Sequence, residues 1–124
     1  MKKLAIALGA VALCASVSMA NIPDPGFCTV TPADALGGLV VAPLDPAPLA
    51  ATINTINVRN DQNAPIPNAA VTIEFSNAIS LCSATVTSGT TDANGGVTLT
   101  LGGGCAHVVA LSGQVKANGV TIRN

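Results

Sequence analysis

The chain has 124 residues, only 9% of them charged, and its two aromatic residues are both Phe, with no Trp or Tyr. Beyond Lys2 and Lys3 the cations are Arg59, Lys116 and Arg123, against six Asp and Glu, so residues 21–124 carry 3 minus 6, or −3. A weakly acidic chain with scattered cations has no electrostatic footprint for nucleic acid or anionic lipid, and with two Phe as its only aromatics it lacks the usual stacking platform for bases and many sugars.

Residues 1–20, MKKLAIALGAVALCASVSMA, have the layout of a secretory signal peptide. Lys2 and Lys3 form a basic start, Leu4 to Ala15 an apolar run, and Ser18-Met19-Ala20 a small-residue cleavage site. The run is shorter than the roughly 20 residues a spanning helix needs, and Leu13 before Cys14 is a poor lipidation context. Cleavage after Ala20 leaves 124 less 20, or 104 residues. That predicts one exported domain in a secreted, periplasmic or cell-surface location, with no membrane span in the mature chain.

Residues 21–50 read as a Pro-rich extension with a single short strand over Gly38 to Ala42. Asp34 to Gly37 suggests one turn, and no long helix is signalled. From residue 51 a period of two dominates. Ala51 to Arg59 predicts a strand with a bulge or a late start, because Ile53 and Ile56 are out of phase. Asn60 to Asn68 is a loop dense in turn formers. Val71 to Phe75 alternates cleanly, with Thr72 and Glu74 outward, and Ala84 to Thr87 is a shorter strand. Val97, Leu99 and Leu101 share one face, as do Val109, Leu111, Val115 and Ala117. Asn118-Gly119 between apolar-alternating runs is a strong hairpin signal, and Val120 to Ile122 closes the pattern. About seven short strands, with no amphipathic helix for a parallel crossover, predict an all-β antiparallel sandwich over residues 51–124.

Export implies oxidising conditions, and three cysteines follow the signal: Cys28, Cys82 and Cys105. Cys82 and Cys105 flank one strand region and are the preferred disulfide pair, which leaves Cys28 as a free or intermolecular thiol. Pairing of Cys28 with either partner stays open.

The run INVRNDQNAPIPNAAVTIEF, then GTTDANGGVTLTL, then VKANGV, resembles bacterial immunoglobulin-like domains of the invasin and intimin type. More loosely it is similar to carboxypeptidase-regulatory-like sandwiches. The resemblance spans residues 56–122 and implies an immunoglobulin-like β-sandwich. It also implies a surface or secreted spacer, adhesive or carbohydrate-associated module.

Candidate chemistry is sparse. Asp92-Ala93-Asn94-Gly95 could suggest a calcium loop, but an EF-hand needs further acids and a bidentate Glu, where this chain places Gly96 and Gly103. The stretch reads instead as a hairpin, a type I turn with a Gly95 bulge launching the strand Val97 to Leu101, in which Asp92 accepts from backbone amides, Asn94 tolerates the bridge region and Gly95 takes positive φ. Asn118 and Gly119 are the second turn-forming pair. His107 is the only histidine, too few for a metal site with Cys105, and no serine stands in a nucleophile motif. Glu74 and Asp61 are far apart in sequence for a carboxylate pair, and Gly102-Gly103-Gly104 lacks the Lys and Thr of a phosphate loop. These residues predict an exported, non-catalytic structural or binding module with no cofactor and no metal. Its partner is an unidentified protein or cell-surface component, or a second copy of itself. The rival readings are a self-assembling subunit that adds part of Leu36 to Ala50 to a neighbour, and a small metal binder or enzyme centred on His107.

Overall fold

The computed structural model describes residues 21–36, 53–75, 87–101 and 113–124. Strands form where small or β-branched residues alternate in exposure. These are β1 (Thr29–Thr31), β2 (Ile53–Asn57), β3 (Ala70–Phe75), β4 (Ser88–Thr90), β5 (Gly96–Thr100), β6 (Gly113–Ala117) and β7 (Val120–Arg123). One short helix, α1 (Ala33–Leu36), follows β1.

Two antiparallel sheets result, one in the order β1-β2-β5 and the other in the order β4-β3-β6-β7. Their inward side chains form one apolar core. Val30, Ile56 and Leu99 come from the first sheet and Val71, Ile73, Val115, Ala117 and Ile122 from the second. Full burial of one such aliphatic side chain contributes about 1.5–3 kcal/mol, so an aliphatic core with Phe75 packed at its margin suffices for a small domain. At Gly89 of β4 a Cβ would fall 2.9 Å from the Val97 side chain and 3.0 Å from that of Leu99. The two sheets therefore meet closely at β4 and β5.

Four features differ from the sequence expectation. First, the boundary at residue 50 does not separate the core from an extension. β1 pairs with β2 (Thr29↔Asn57, Val30↔Ile56, Thr31↔Thr55), and Cys28 and Val30 are fully buried. Proline density concealed this strand, which fits in the gap between Pro25 and Pro32. Second, β2 has no bulge: it pairs residue for residue with β5 from Ile53↔Thr100 to Asn57↔Gly96. Asn54 and Ile56 both face inward and are fully buried, and Ile53 faces outward at 38% exposure. Third, β4 runs over Ser88–Thr90, past the end of the strand expected over residues 84–87, of which residues 84–86 lie outside the described ones. Fourth, GTTDANGGVTLTL is not a hairpin. β4 pairs with β3 and β5 with β2, so the turn between them is a corner from one sheet to the other. The expected strand over Gly38 to Ala42, and Val109 and Leu111, lie outside the described residues.

Asn118 and Gly119 make the expected tight hairpin between β6 and β7, with φ of +46° and +80°. Positive φ at both central residues is the type I′ signature that matches the twist of the flanking strands. Asn118 also joins β3: its N–H donates to the Ala70 carbonyl (2.8 Å), and its Oδ1 accepts from the Ala70 N–H (2.9 Å). The register shifts between Val115 and Lys116 within this hairpin.

Candidate functional site

Asp92 follows Thr91, a buried residue whose hydroxyl donates to the Ile66 carbonyl (2.7 Å) and accepts from the Ala69 N–H (2.8 Å). The Asp92 side chain folds over its own turn. Its Oδ1 accepts from the N–H of Asn94 at 2.8 Å and of Gly96 at 2.9 Å. The backbone closes the turn, with Gly95 N–H to Asp92 O at 3.0 Å and Asp92 N–H to Gly96 O at 2.8 Å. Gly95 has φ +78°, and a Cβ there would lie 2.6 Å from the Val58 carbonyl oxygen. Its own carbonyl accepts from the Val58 N–H (2.8 Å). Asp92, Asn94 and Gly95 thus make a turn wedged against the loop after β2.

That loop contains a second turn of the same construction. Asn60, 2% exposed, accepts at Oδ1 from the N–H of Gln62 (3.0 Å) and Ala64 (2.8 Å). Asn63 N–H reaches Asn60 O, Asn60 N–H reaches Ala64 O, and Asn63 takes φ +59°. The sequence marked this stretch as a loop but did not single out Asn60; the Asx residue four before Ala64 was the readable signal.

Cys28 is a free, buried thiol. Its sulfur accepts from the Arg59 N–H (3.3 Å) and its S–H points to the Arg59 carbonyl (3.4 Å). Burial pushes the thiol's pKa up, against the smaller opposing effect of the Arg59 amide. A thiol held protonated and shielded is a weak nucleophile, and its burial leaves no sulfur surface for a bridge to another chain while the fold is intact. Cys82, Cys105 and His107 lie outside the described residues.

Arg123 of β7 is the densest polar node among the described residues, and sequence reasoning gave it no role. Its guanidinium donates to both carboxylate oxygens of Asp34 (Nε to Oδ1 2.5 Å, Nη2 to Oδ2 3.1 Å). It also reaches the carbonyls of Pro25 (2.9 Å) and Cys28 (2.8 Å). Asp34 Oδ2 in turn accepts from the Val30 N–H (2.8 Å). The hydrogen bond from Arg123, ahead of every other influence, holds the Asp34 carboxyl below its ordinary value and raises Arg123. This fork ties the N-terminal segment to the last strand.

On the outside of the second sheet Glu74 pairs with Lys116 at 2.5 Å, and Lys116 is the first cause of its lowered carboxyl pKa. Among the described residues no three or more His, Cys, Asp or Glu gather where they could hold a metal ion. No helix among them is long and apolar enough to cross a membrane. Every polar cluster described above satisfies backbone or bridges segments; none sets a nucleophile beside a base. In comparisons with family models, with curated proteins and with solved structures, nothing matches the chain.

Proposed function

We propose that this protein is an exported, non-catalytic module with an immunoglobulin-like sandwich, of the bacterial surface-domain kind, serving a structural or binding role outside the cytoplasm. The observation that carries the reading is the strand order. The first, second and fifth strands form one sheet, and the fourth, third, sixth and seventh the other. This is a Greek-key arrangement in which the fourth strand is added beside the third, as in sheets of the variable immunoglobulin type. Fold alone names no activity. The non-catalytic part rests on the polar groups: the carboxylates of Asp34 and Glu74 are engaged by cations, and that of Asp92 by backbone amides.

Export rests on the leader-like residues 1–20, and a Cys82–Cys105 bridge would follow from the oxidising destination. One experiment tests both. The full chain is expressed in a bacterium, fractions are separated, and the purified protein is mapped by mass spectrometry without reduction. The expected result is an exported chain that begins at Asn21, with Cys82 joined to Cys105 and Cys28 free. An intact leader on cytoplasmic protein would overturn the export reading. A bridge that includes Cys28 would overturn the pairing.

A further inference from the structure

The two sheets present opposite chemistry to solvent. β3, β6 and β7 carry Glu74, Lys116 and Arg123, whereas β1, β2 and β5 contain no charged residue at all. On the outer face of the first sheet the register aligns Thr31, Thr55 and Thr98 in one row across all three strands. The next row is Thr29, Asn57 and Gly96, and beyond the threonine row Ile53 stands opposite Thr100. Thr29, Thr31, Thr55 and Thr98 are exposed, as is Ile53. The sole side-chain hydrogen bond within these rows joins Asn57 Nδ2 to the Thr29 hydroxyl (3.1 Å). The hydroxyls of Thr31, Thr55 and Thr98 make none among the described residues.

We propose that this face binds ice, by holding a patch of ordered water that merges with the crystal surface. The chemistry supports that partner over others in three ways. Hydroxyls and methyls repeat at about 4.7–4.9 Å across the strands and at roughly 6.5–7 Å along them, a two-dimensional array suited to a crystalline partner rather than to an irregular one. Threonine and Ile53 methyls order the adjoining water, and the free hydroxyls can hydrogen-bond that water in place. Charged groups, whose strongly held hydration shells disrupt such a lattice, are missing from these strands. A neutral polysaccharide is the competing partner, and the lack of any Trp or Tyr in the chain weighs against it. The proposal rests on the exported-module reading only for where the protein meets ice.

The test partitions the fluorescently labelled mature chain between a slowly growing ice hemisphere and the remaining liquid, alongside Thr55→Lys and Gln114→Lys. Thr55 is at the centre of the threonine row, and Gln114 is exposed on the opposite sheet. Both positions are on the surface, and circular dichroism verifies that each variant folds. The expected result is incorporation of the parent and of Gln114→Lys into ice, with Thr55→Lys excluded to the level of a non-binding control protein. Exclusion of the parent chain, or equal incorporation of Thr55→Lys, overturns the proposal. So does parent protein that is excluded from ice yet retained on insoluble cellulose in a Thr55-dependent way, which assigns the face to a glycan. None of these outcomes bears on export or on the Cys82–Cys105 pairing, which the mass-spectrometric mapping decides separately.

Discussion

The turns at residues 60–64 and 92–96 share one hydrogen-bond plan, the second packed against Val58, Pro65 and Ile66 on either side of the first, yet they solve it with different residues. In each, an Asx side chain accepts the amides two and four residues ahead, and the fourth residue takes positive φ. Asn60 is buried and neutral, whereas Asp92 is exposed. Asn63 faces solvent at its positive φ, whereas Gly95 is pressed against the Val58 carbonyl. A side chain at position 63 has room and a local hydrogen-bonding habit that tolerates the left-handed region. At position 95 there is neither space nor a tolerable backbone for any Cβ. The plan therefore fixes where an acceptor and a left-handed residue must stand, and the surroundings decide which residue type can fill each place.

The sharpest way to break this contrast is to exchange the left-handed residues. Gly95→Ala combines an unfavourable φ with a 2.6 Å approach to the Val58 oxygen. It should cost at least about 2 kcal/mol, the middle of the range for locally strained backbone. Asn63→Gly relieves a mild strain while loosening the unfolded chain, and should stay within about 0.5 kcal/mol of the parent. Urea unfolding midpoints of the two variants measure the difference. Equal losses would mean that the two turns are not the distinct environments described above.

Removal of the acceptors is the next largest effect. Asn60→Ala strands two amides in a buried turn and should cost about 1–3 kcal/mol. Asp92→Ala exposes its two amides to water, which replaces the lost acceptor, so the loss should be about 1 kcal/mol or less. Thermal unfolding of the pair, with hydrogen exchange at Gln62, Ala64, Asn94 and Gly96, would show whether burial is what separates them. Faster exchange confined to the mutated turn is expected.

The smallest effect concerns Asp34, whose side chain is 32% exposed. Its carboxyl pKa is lowered in the folded chain, first by the hydrogen bond from Arg123. Such a group contributes stability above its unfolded value of about 3.9. That contribution is lost as pH falls through the lower folded value. With solvent screening the contribution is at most about 1 kcal/mol. Asp34→Asn should therefore lower stability at neutral pH and flatten the acid limb of the stability curve below about pH 4. An unchanged acid limb in urea titrations from pH 2 to 7 would remove Asp34 from that role.

Much of this architecture was readable from residues 53 onward. Alternation located β3, β5 and β7, and Asn118-Gly119 marked its hairpin, because in each case the local rule and the tertiary environment agree. Legibility failed where they part. β1 is only three residues long and bounded by prolines, so its pairing with β2 depends on a partner more than twenty residues away. The alternation in β2 gave no clear phase because Ile53 and Ile56 fall on opposite faces and the polar Asn54 joins Ile56 inside. The corner at residues 92–96 carries all the signals of a hairpin turn, and only the assignment of β4 to the other sheet shows that it joins two layers. Arg123 could not be anticipated, since its partners Pro25, Cys28 and Asp34 lie about ninety residues earlier. The outward threonines of β1, β2 and β5 come into one row only through the register, and β1 was not expected at all.

Whether Asp92 serves its own backbone or a cation is decided most directly by calcium titration of the mature chain, followed through the amide resonances of Asn94 and Gly96. Both N–H groups donate to Asp92 Oδ1, so any ion drawn to that carboxylate must move them. A purely structural turn predicts no saturable shift of either resonance. A saturable shift of both, abolished in Asp92→Asn, would contradict it.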